Sequence, residues 1–538
     1  MFFISAFSAY GQAFPGQLIS RWKPGTQPET LKERNPYLFV SLRWADKDAG
    51  LLHSAWDTTR YSAEQAMAAM RRMYGCEAVQ QVHSVHRRRE ANDPLAGSQG
   101  YLSRIQARDA WNFGTGGVTA MGDTVVVAVV DDGVDTLHPD LLPNMWVNRG
   151  EIPHNGLDDD GNGYTDDVRG WNGGDSNNRT FTVQSMDAHG TAISGIIGAR
   201  GNNNTGIAGV NWQVKIMPVL CYASSGSGSD IGVVRSLLYV YRMKKLYLSS
   251  MGTKGANVVA VNTSVGIDRA TPQDAPLWCA LYDSLGSVGI MSAAATSNTN
   301  INVATEGDIP STCPARSMLV VSSTDINDQR VSCGFSDSLV DLAAPGENAL
   351  SAELVSRPGT NGPYKAVSGT SFAAPQVAGA LALLTSQSCK VYLGLLKSKP
   401  DSAIQLMTGW IMQGTDKLNS LTGKTKSGGR LNINKAWLQM DAWCKNNDIP
   451  YAVTEVNPRL CQVFPNPAAA GSNLKVSALN NGISKVSIYS VSGQLLAVES
   501  VSAQNGTGFL SLPALQPGLL ILQIEDGDSI RRVKLYTF

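Results

Sequence analysis

Six histidines stand in the 538 residues, and one of them has neighbours suited to moving a proton. His189 lies in Asp187-Ala188-His189-Gly190-Thr191, directly ahead of a run of small and apolar residues that reads as a helix. His53, His83 and His86 belong to an N-terminal stretch of different texture, His138 sits in the turn signal His-Pro-Asp, and His154 lies in a polar loop. A serine nucleophile needs a base to take its proton, an acid to orient that base, and donors for the oxyanion. Asp131 suits the acid. It follows the continuous apolar run Val125–Val130, so it stands at the C-terminal end of a buried strand, where open α/β sheets collect their ligands. A carboxylate buried there is costly unless hydrogen-bonded, and orienting a histidine supplies the bond. Asp132 is the rival for this role. Ser371 suits the nucleophile: Ser368-Gly369-Thr370-Ser371-Phe372-Ala373-Ala374-Pro375 reads as a glycine turn entering a helix, with Pro375 in the first turn, where no N–H is needed. A serine there is ordinarily only a cap, but its own N–H can also face an oxyanion, favoured by the helix dipole.

Strands and helices must alternate to carry these residues. Apolar, β-branched runs at Thr124–Val130, Val214–Leu220, Asn257–Val261, Val288–Ala295 and Leu319–Ser322 read as strands buried on both faces. Helical patterns fall between or after them, at Thr191–Ala199, Ile231–Leu248, Pro276–Leu285 and Ala373–Ser386. The expectation is an α/β domain over residues 92–445, its parallel sheet covered by helices on both sides.

Three of these segments together resemble the signatures of the subtilisin-like serine proteases: Val127-Ala128-Val129-Val130-Asp131-Asp132-Gly133, His189-Gly190-Thr191 and Gly369-Thr370-Ser371-Phe372-Ala373-Ala374-Pro375, in that family's chain order Asp…His…Ser. The resemblance runs over roughly residues 92–444 and includes Asn92-Asp93-Pro94 to Ala110-Trp111, Ala343-Ala344-Pro345-Gly346 and Gly429-Arg430-Leu431-Asn432. It implies a subtilisin-like fold and peptide-bond hydrolysis through an acyl-enzyme without a catalytic cofactor. It also implies a second oxyanion donor at Asn298, in Ala293-Ala294-Ala295-Thr296-Ser297-Asn298, although Ser297 stands where the family usually has glycine. Ala192, after His-Gly-Thr, is a second departure, outside the triad. Substrate backbone would pair near Ser264-Val265-Gly266, with Thr312 or its neighbour at the floor of the first specificity pocket. No acidic residue there clearly demands a basic substrate side chain. Placed on the family's fold, Cys279 and Cys313 would bridge, as would Cys389 and Cys444.

Residues 158–167, Asp-Asp-Asp-Gly-Asn-Gly-Tyr-Thr-Asp-Asp, place side-chain oxygens at alternating positions around a glycine. Carboxylates so dense repel one another unless a cation neutralises them, and hard oxygen ligands suit calcium. Asp158, Asp160, Asn162 and Asp166 are the expected ligands; a second site would use Asp140 and the loop Asn202-Asn203-Asn204.

The rest of the chain differs in texture. Forty-four basic residues balance 44 acidic ones, which gives no electrostatic case for nucleic acid, and no apolar run approaches a membrane span. Residues 1–13 resemble the apolar and cleavage regions of a secretory signal without its positive start. Eight cysteines are compatible with export. Residues 14–91, with a helical pattern at Ala63–Met73 and a basic end at His86-Arg87-Arg88-Arg89, suit a propeptide that is cut away. Residues 446–538 carry period-2 stretches such as Lys485–Val491 and Leu519–Ile524, which read as a small β-sandwich. With Phe464-Pro465-Asn466-Pro467 and Leu515-Gln516-Pro517-Gly518, this end resembles the sorting domain of type IX secretion. The partners so implied are peptide or protein substrates and an outer-membrane secretion machinery, for a secreted or cell-surface zymogen expected to be monomeric.

Overall fold

The computed structural model describes residues 13–26, 33, 35, 37–83, 90–181, 188–359, 361–447 and 463–537, apart from 465, 467, 470, 478–481, 491–493, 517, 527 and 528. The signal-like start, the basic stretch 84–89 and the linker 448–462 lie outside the described residues. The chain forms two compact units, Met1–Asp448 and Ile449–Phe538.

The first unit opens with four antiparallel strands, β1 (Ala13–Trp22), β2 (Phe39–Asp46), β3 (Leu51–Trp56) and β4 (Cys76–His83), in the order β2-β3-β1-β4. Between β3 and β4 lies helix α1 (Ala63–Arg71), started by a reciprocal capping box between Ser62 and Gln65. Leu18, Trp22, Phe39, Leu52, Ala66 and Met70 form this module's own core.

The larger sheet is built as the apolar runs dictate. Its parallel body comprises β5 (Val126–Asp131), β6 (Lys215–Leu220), β7 (Val258–Thr263), β8 (Met291–Ala295), β9 (Met318–Thr324) and β10 (Leu342–Pro345), side by side in the order β10-β9-β8-β7-β5-β6. Every residue of β5 and β7 is buried, as strands covered on both faces require. One core, with Val127, Val129, Ile193, Ile196, Ala374 and Val377, lies on one side of the sheet. A second, with Val126, Ala128, Val130, Leu237, Val240 and Tyr282, lies on the other.

Four helices carry the rest of the argument: α2 (Ala188–Gly198), α3 (Asp230–Ser249), α4 (Pro276–Ser287) and α5 (Thr370–Gln387). The apolar run from Val288 begins pairing only at Met291, because Gly289 has a left-handed φ of 81° and turns the chain out of α4. Helix α5 begins at Thr370, so Pro375 falls in the second turn and not the first. It has no N–H for the carbonyl four residues back, that of Ser371. That carbonyl accepts the Ser264 hydroxyl instead, at 3.0 Å. Disulfides join Cys279 to Cys313 and Cys389 to Cys444, with Cα–Cα separations of 5.1 and 5.8 Å. Among the described residues no helix is long and apolar enough to cross a membrane.

The second unit is antiparallel throughout its ladders. Gly482–Ser490 pairs with Leu495–Gln504 and with Gly518–Asp526, which pairs in turn with Ser529–Thr537. A second set, Val463–Phe464, Asn473–Ser477 and Thr507–Ser511, joins this one where Ala503 pairs with Gly508 and Gln504 with Thr507. Alternate residues of both sets, among them Leu474, Val476, Leu510, Val486, Ile488, Leu520 and Leu522, share one buried core. The seven strands form one hydrogen-bonded antiparallel sheet whose two sets of strands pack on that common core.

Candidate active site

Asp131 is the last residue of β5 and 1% exposed. Its Oδ1 accepts the N–H of Asp132 at 2.8 Å and faces His189 Nδ1 at 2.7 Å. His189 is the second residue of α2, and the helix comes this close to β5 because position 190 is glycine. A Cβ on Gly190 would sit 2.2 Å from the Gly133 carbonyl oxygen. The two aspartates differ in what each carboxylate holds. Asp132 accepts the backbone N–H of Gly190 at 2.7 Å and of His189 at 3.3 Å. It therefore caps the first turn of α2 and leaves the imidazole to Asp131. Burial, and then the neighbouring Asp131 charge, raise Asp132 above the usual carboxylate range. Burial works against a charged imidazole at His189, but the charge and hydrogen bond of Asp131, with help from Asp132, outweigh it and push His189 up to about 9; Lys365 acts weakly in the opposite sense.

Ser371 is the second residue of α5 and 8% exposed. The structure joins Asp131 to His189 directly and brings Ser371 to the same place through its neighbour Phe372, whose ring lies 5.3 Å from the imidazole, centroid to centroid. Gly369, with a φ of 139°, makes the turn into the helix. The Ser371 N–H lies in the first turn, where backbone donors have no helical partner and the dipole favours negative charge.

Asn298 borders the nucleophile's turn. Its Oδ1 accepts the N–H of Thr370 at 2.9 Å and lies 3.0 Å from the Thr370 hydroxyl, which donates to the Thr296 carbonyl at 2.5 Å. A backbone N–H can only donate, so the amide is oriented unambiguously and its NH₂ is directed away from Thr370, free to donate. Ser264 lies against the Ser371 carbonyl, and the chain continues through Val265 and Gly266 into the two-residue strand Ile267–Asp268, paired with Asp308–Ile309. A Cβ on Gly266 would sit 2.5 Å from the Ile309 oxygen, so that pairing needs glycine there. Thr312 donates its hydroxyl to the Asp308 carbonyl at 3.0 Å.

The acidic loop closes on a residue the sequence pattern did not mark. Glu151, Asp158 and Asp160 bring carboxylate oxygens within 4.8 Å of one another, close enough to share an ion. Asn162 and Asp166, both expected ligands, stand outside that cluster. All five groups accept protein donors: Glu151 takes the N–H groups of Asp159, Asp160 and Asp166, Asp158 those of Gly161, Asn162 and Gly163, and Asp160 that of Asn162. Asn162 Oδ1 accepts the Tyr164 N–H, and the Asp166 carboxylate accepts the N–H groups of Asn155 and Gly156. Burial first, and also the Asp160 charge, raise Glu151 above its ordinary range. Asp140 is fully buried and spent on protein donors: Asn203 Nδ2, the Ile207 N–H and the Tyr364 hydroxyl, at 2.9 Å each. It anchors the loop after α2 and has no cluster of acidic groups around it among the described residues.

Residues 122–406 match the subtilase family, and residues 462–536 match the secretion system C-terminal sorting domain. The chain is 30% identical to thermitase of Thermoactinomyces vulgaris over 348 residues, 64% of this chain and 98% of that protein. It is 29% identical to subtilisin Savinase of Lederbergia lenta over 287 residues, 53% of this chain and 84% of that one. The sorting domain marks a secreted or cell-surface protein that meets a secretion machinery. With a family match spanning more than half its length, and a relative matched almost end to end, the chain belongs to the subtilases and is a serine endopeptidase acting on peptide substrates.

Proposed function

We propose that this protein is a secreted zymogen whose mature enzyme cleaves peptide bonds with Ser371 as nucleophile, His189 as base and Asp131 as the group that orients it. The observation that carries the reading is the 2.7 Å contact of Asp131 with His189 at the C-terminal edge of β5, with Phe372 seating the nucleophile's turn beside it. Ser371 Oγ adds to the substrate carbonyl as its proton passes to His189 Nε2. The same proton then goes to the leaving amine, and water repeats the sequence on the acyl-enzyme. Asn298 Nδ2 and the Ser371 N–H hold the oxyanion, and Ser264-Val265-Gly266 pairs with the substrate backbone as an added strand. Residues 14–91 are the propeptide, removed near residues 89–92, and the C-terminal domain directs export by a type IX pathway. The mature enzyme acts as a monomer. Incubation of the propeptide-free protein with a fluorophosphonate probe tests the reading: a label on the peptide containing Ser371 supports it, and a matured protein that neither labels nor hydrolyses peptides refutes it.

Asn298→Ala should lower kcat about 10²–10³-fold with little change in KM, because its donors act on the oxyanion and not on the ground-state carbonyl. Steady-state kinetics on one peptide substrate check this. A fall confined to KM would remove Asn298 from the oxyanion site.

Calcium is the cation proposed for Glu151, Asp158 and Asp160. It supplies no catalytic step and ties the loop to the body of the domain. At calcium about 100-fold above its Kd, binding adds ~2.7 kcal/mol, a rise in Tm on the order of 5 °C for a domain of this size. Thermal melts with and without chelator should show that rise in the wild type, and Asp158→Asn with Asp160→Asn should abolish it.

A further inference from the structure

Asp308 is a buried carboxylate that the proposed chemistry leaves unused. It is 2% exposed. Its Oδ2 accepts the Ser297 N–H at 3.0 Å and the Ser311 hydroxyl at 2.5 Å. Ser297 directly precedes Asn298, so the carboxyl group lies beneath the oxyanion loop. Its strand, Asp308–Ile309, runs antiparallel to Ile267–Asp268, which continues the substrate-pairing segment Ser264-Val265-Gly266. Its own carbonyl takes the Thr312 hydroxyl, and the next residue, Cys313, is tied to Cys279. The group thus belongs to the floor between the two walls that would hold a substrate.

The floor is acidic and lacks a counter-ion. Asp268, exposed, is the residue opposite Asp308 in the strand pair. Among the described residues neither aspartate is in an ion pair, and the adjacent cation, Arg269, is taken by Glu306 at 3.3 Å. Burial first, and also the Asp268 charge, push Asp308 up to about 6, with the bonds from Ser311 and Ser297 holding it lower than burial alone would. A carboxylate buried without a cation is costly. A substrate that brings one removes that cost.

We infer that Asp308 is a specificity-determining residue whose carboxylate receives the cationic head of a lysine or arginine on the residue whose carbonyl Ser371 attacks. When that carbonyl oxygen sits at Asn298 Nδ2, the side chain of the same residue descends past Ser297 towards the floor at Asp308–Thr312. A long side chain ending in a positive charge meets the carboxylate there. A short or apolar one leaves it buried and unpaired. The sequence reading found no acidic residue demanding a basic substrate; Asp308 escaped it because only the pairing with Ile267–Asp268 and the bond to Ser297 bring it under the site.

The inference rests on the assignment of Ser371 and Asn298, and the test separates the two. Matured protein is assayed on four fluorogenic peptides identical except for Arg, Lys, Leu or Phe before the cleaved bond. The expected result is a kcat/KM for Arg and Lys about 10²-fold above that for Leu and Phe, with the preference fading as pH falls through about 6 and Asp308 takes up a proton. In Asp308→Asn, and in Asp308→Ser should the first fold poorly, the Arg-to-Leu ratio should collapse towards one. Equal or better cleavage after Leu and Phe by the wild type overturns the inference and leaves the peptidase standing. So does a variant that slows all four peptides by the same factor, which would reduce Asp308 to a support for the Ser297 loop. Cleavage of none by a matured protein overturns both.

Discussion

Ser371→Ala should lower kcat about 10⁶-fold, roughly 8 kcal/mol of transition-state stabilisation, a magnitude carried over from the loss of the nucleophile in a subtilase relative. The fold should survive the change, since Ser371 is in the first turn of α5, where alanine is a good helix former. Its backbone carbonyl would still take the Ser264 hydroxyl. The residual rate, still about 10³-fold over water, would come from Asn298 and from binding. Two readouts keep the result unambiguous. The variant should lose fluorophosphonate labelling entirely while its melting temperature stays within a few degrees of the wild type. If removal of the propeptide is the protein's own work, the variant should also accumulate at full length. A variant that still hydrolysed peptides at a tenth of the wild-type rate would place the nucleophile elsewhere.

Asp131→Ala should cost about 10⁴-fold in kcat and move the acid limb of the pH profile downward. The base must be neutral to accept the serine proton, so a His189 held up to about 9 makes the wild type lose activity as pH falls through that value. Without the Asp131 charge, burial is the leading influence on His189, and the limb should shift by more than one pH unit towards acid. Asp131→Asn separates orientation from charge. The Asp132 N–H donates to Oδ1, the same atom that His189 faces, and a donor there keeps an amide oxygen in place of an NH₂. The imidazole then keeps its tautomer. The asparagine variant should shift the limb as alanine does yet retain a higher kcat at alkaline pH. If it were as slow as alanine at every pH, the Asp132 N–H would not be holding that oxygen.

The proposed triad could be named from the sequence because each member sits inside a local pattern: an apolar strand ending in an acid, a histidine opening a small-residue helix, and a serine behind a glycine turn. The parallel sheet followed from runs buried on both faces, and the observed strands stay within a few residues of them. What escaped depends on contacts between distant segments. Glu151 joins Asp158 and Asp160 only because the loop folds back on itself, and no spacing rule includes it. Asp140, expected at a second cation site, also accepts donors from Asn203, Ile207 and Tyr364, contacts between distant segments that no local pattern contains. The short strand β10 was not read out because four residues are too few to show a period, while the helices Lys390–Ser398, Pro400–Gly414 and Ile433–Asn447 were passed over although their apolar faces are as periodic as those of α3 and α4.

Pro375 leaves a missing rung in the helix that carries the nucleophile, and the rung is supplied from outside by Ser264. The segment on which a peptide would lie is therefore bolted to the backbone of the residue that would attack it. A substrate strand laid along residues 264–266 would sit on the segment whose hydroxyl steadies the Ser371 carbonyl. A helix with its full ladder would be sturdier, but it would leave that hydroxyl idle. The central helix gives up one bond of its own ladder and takes its replacement from the neighbouring segment.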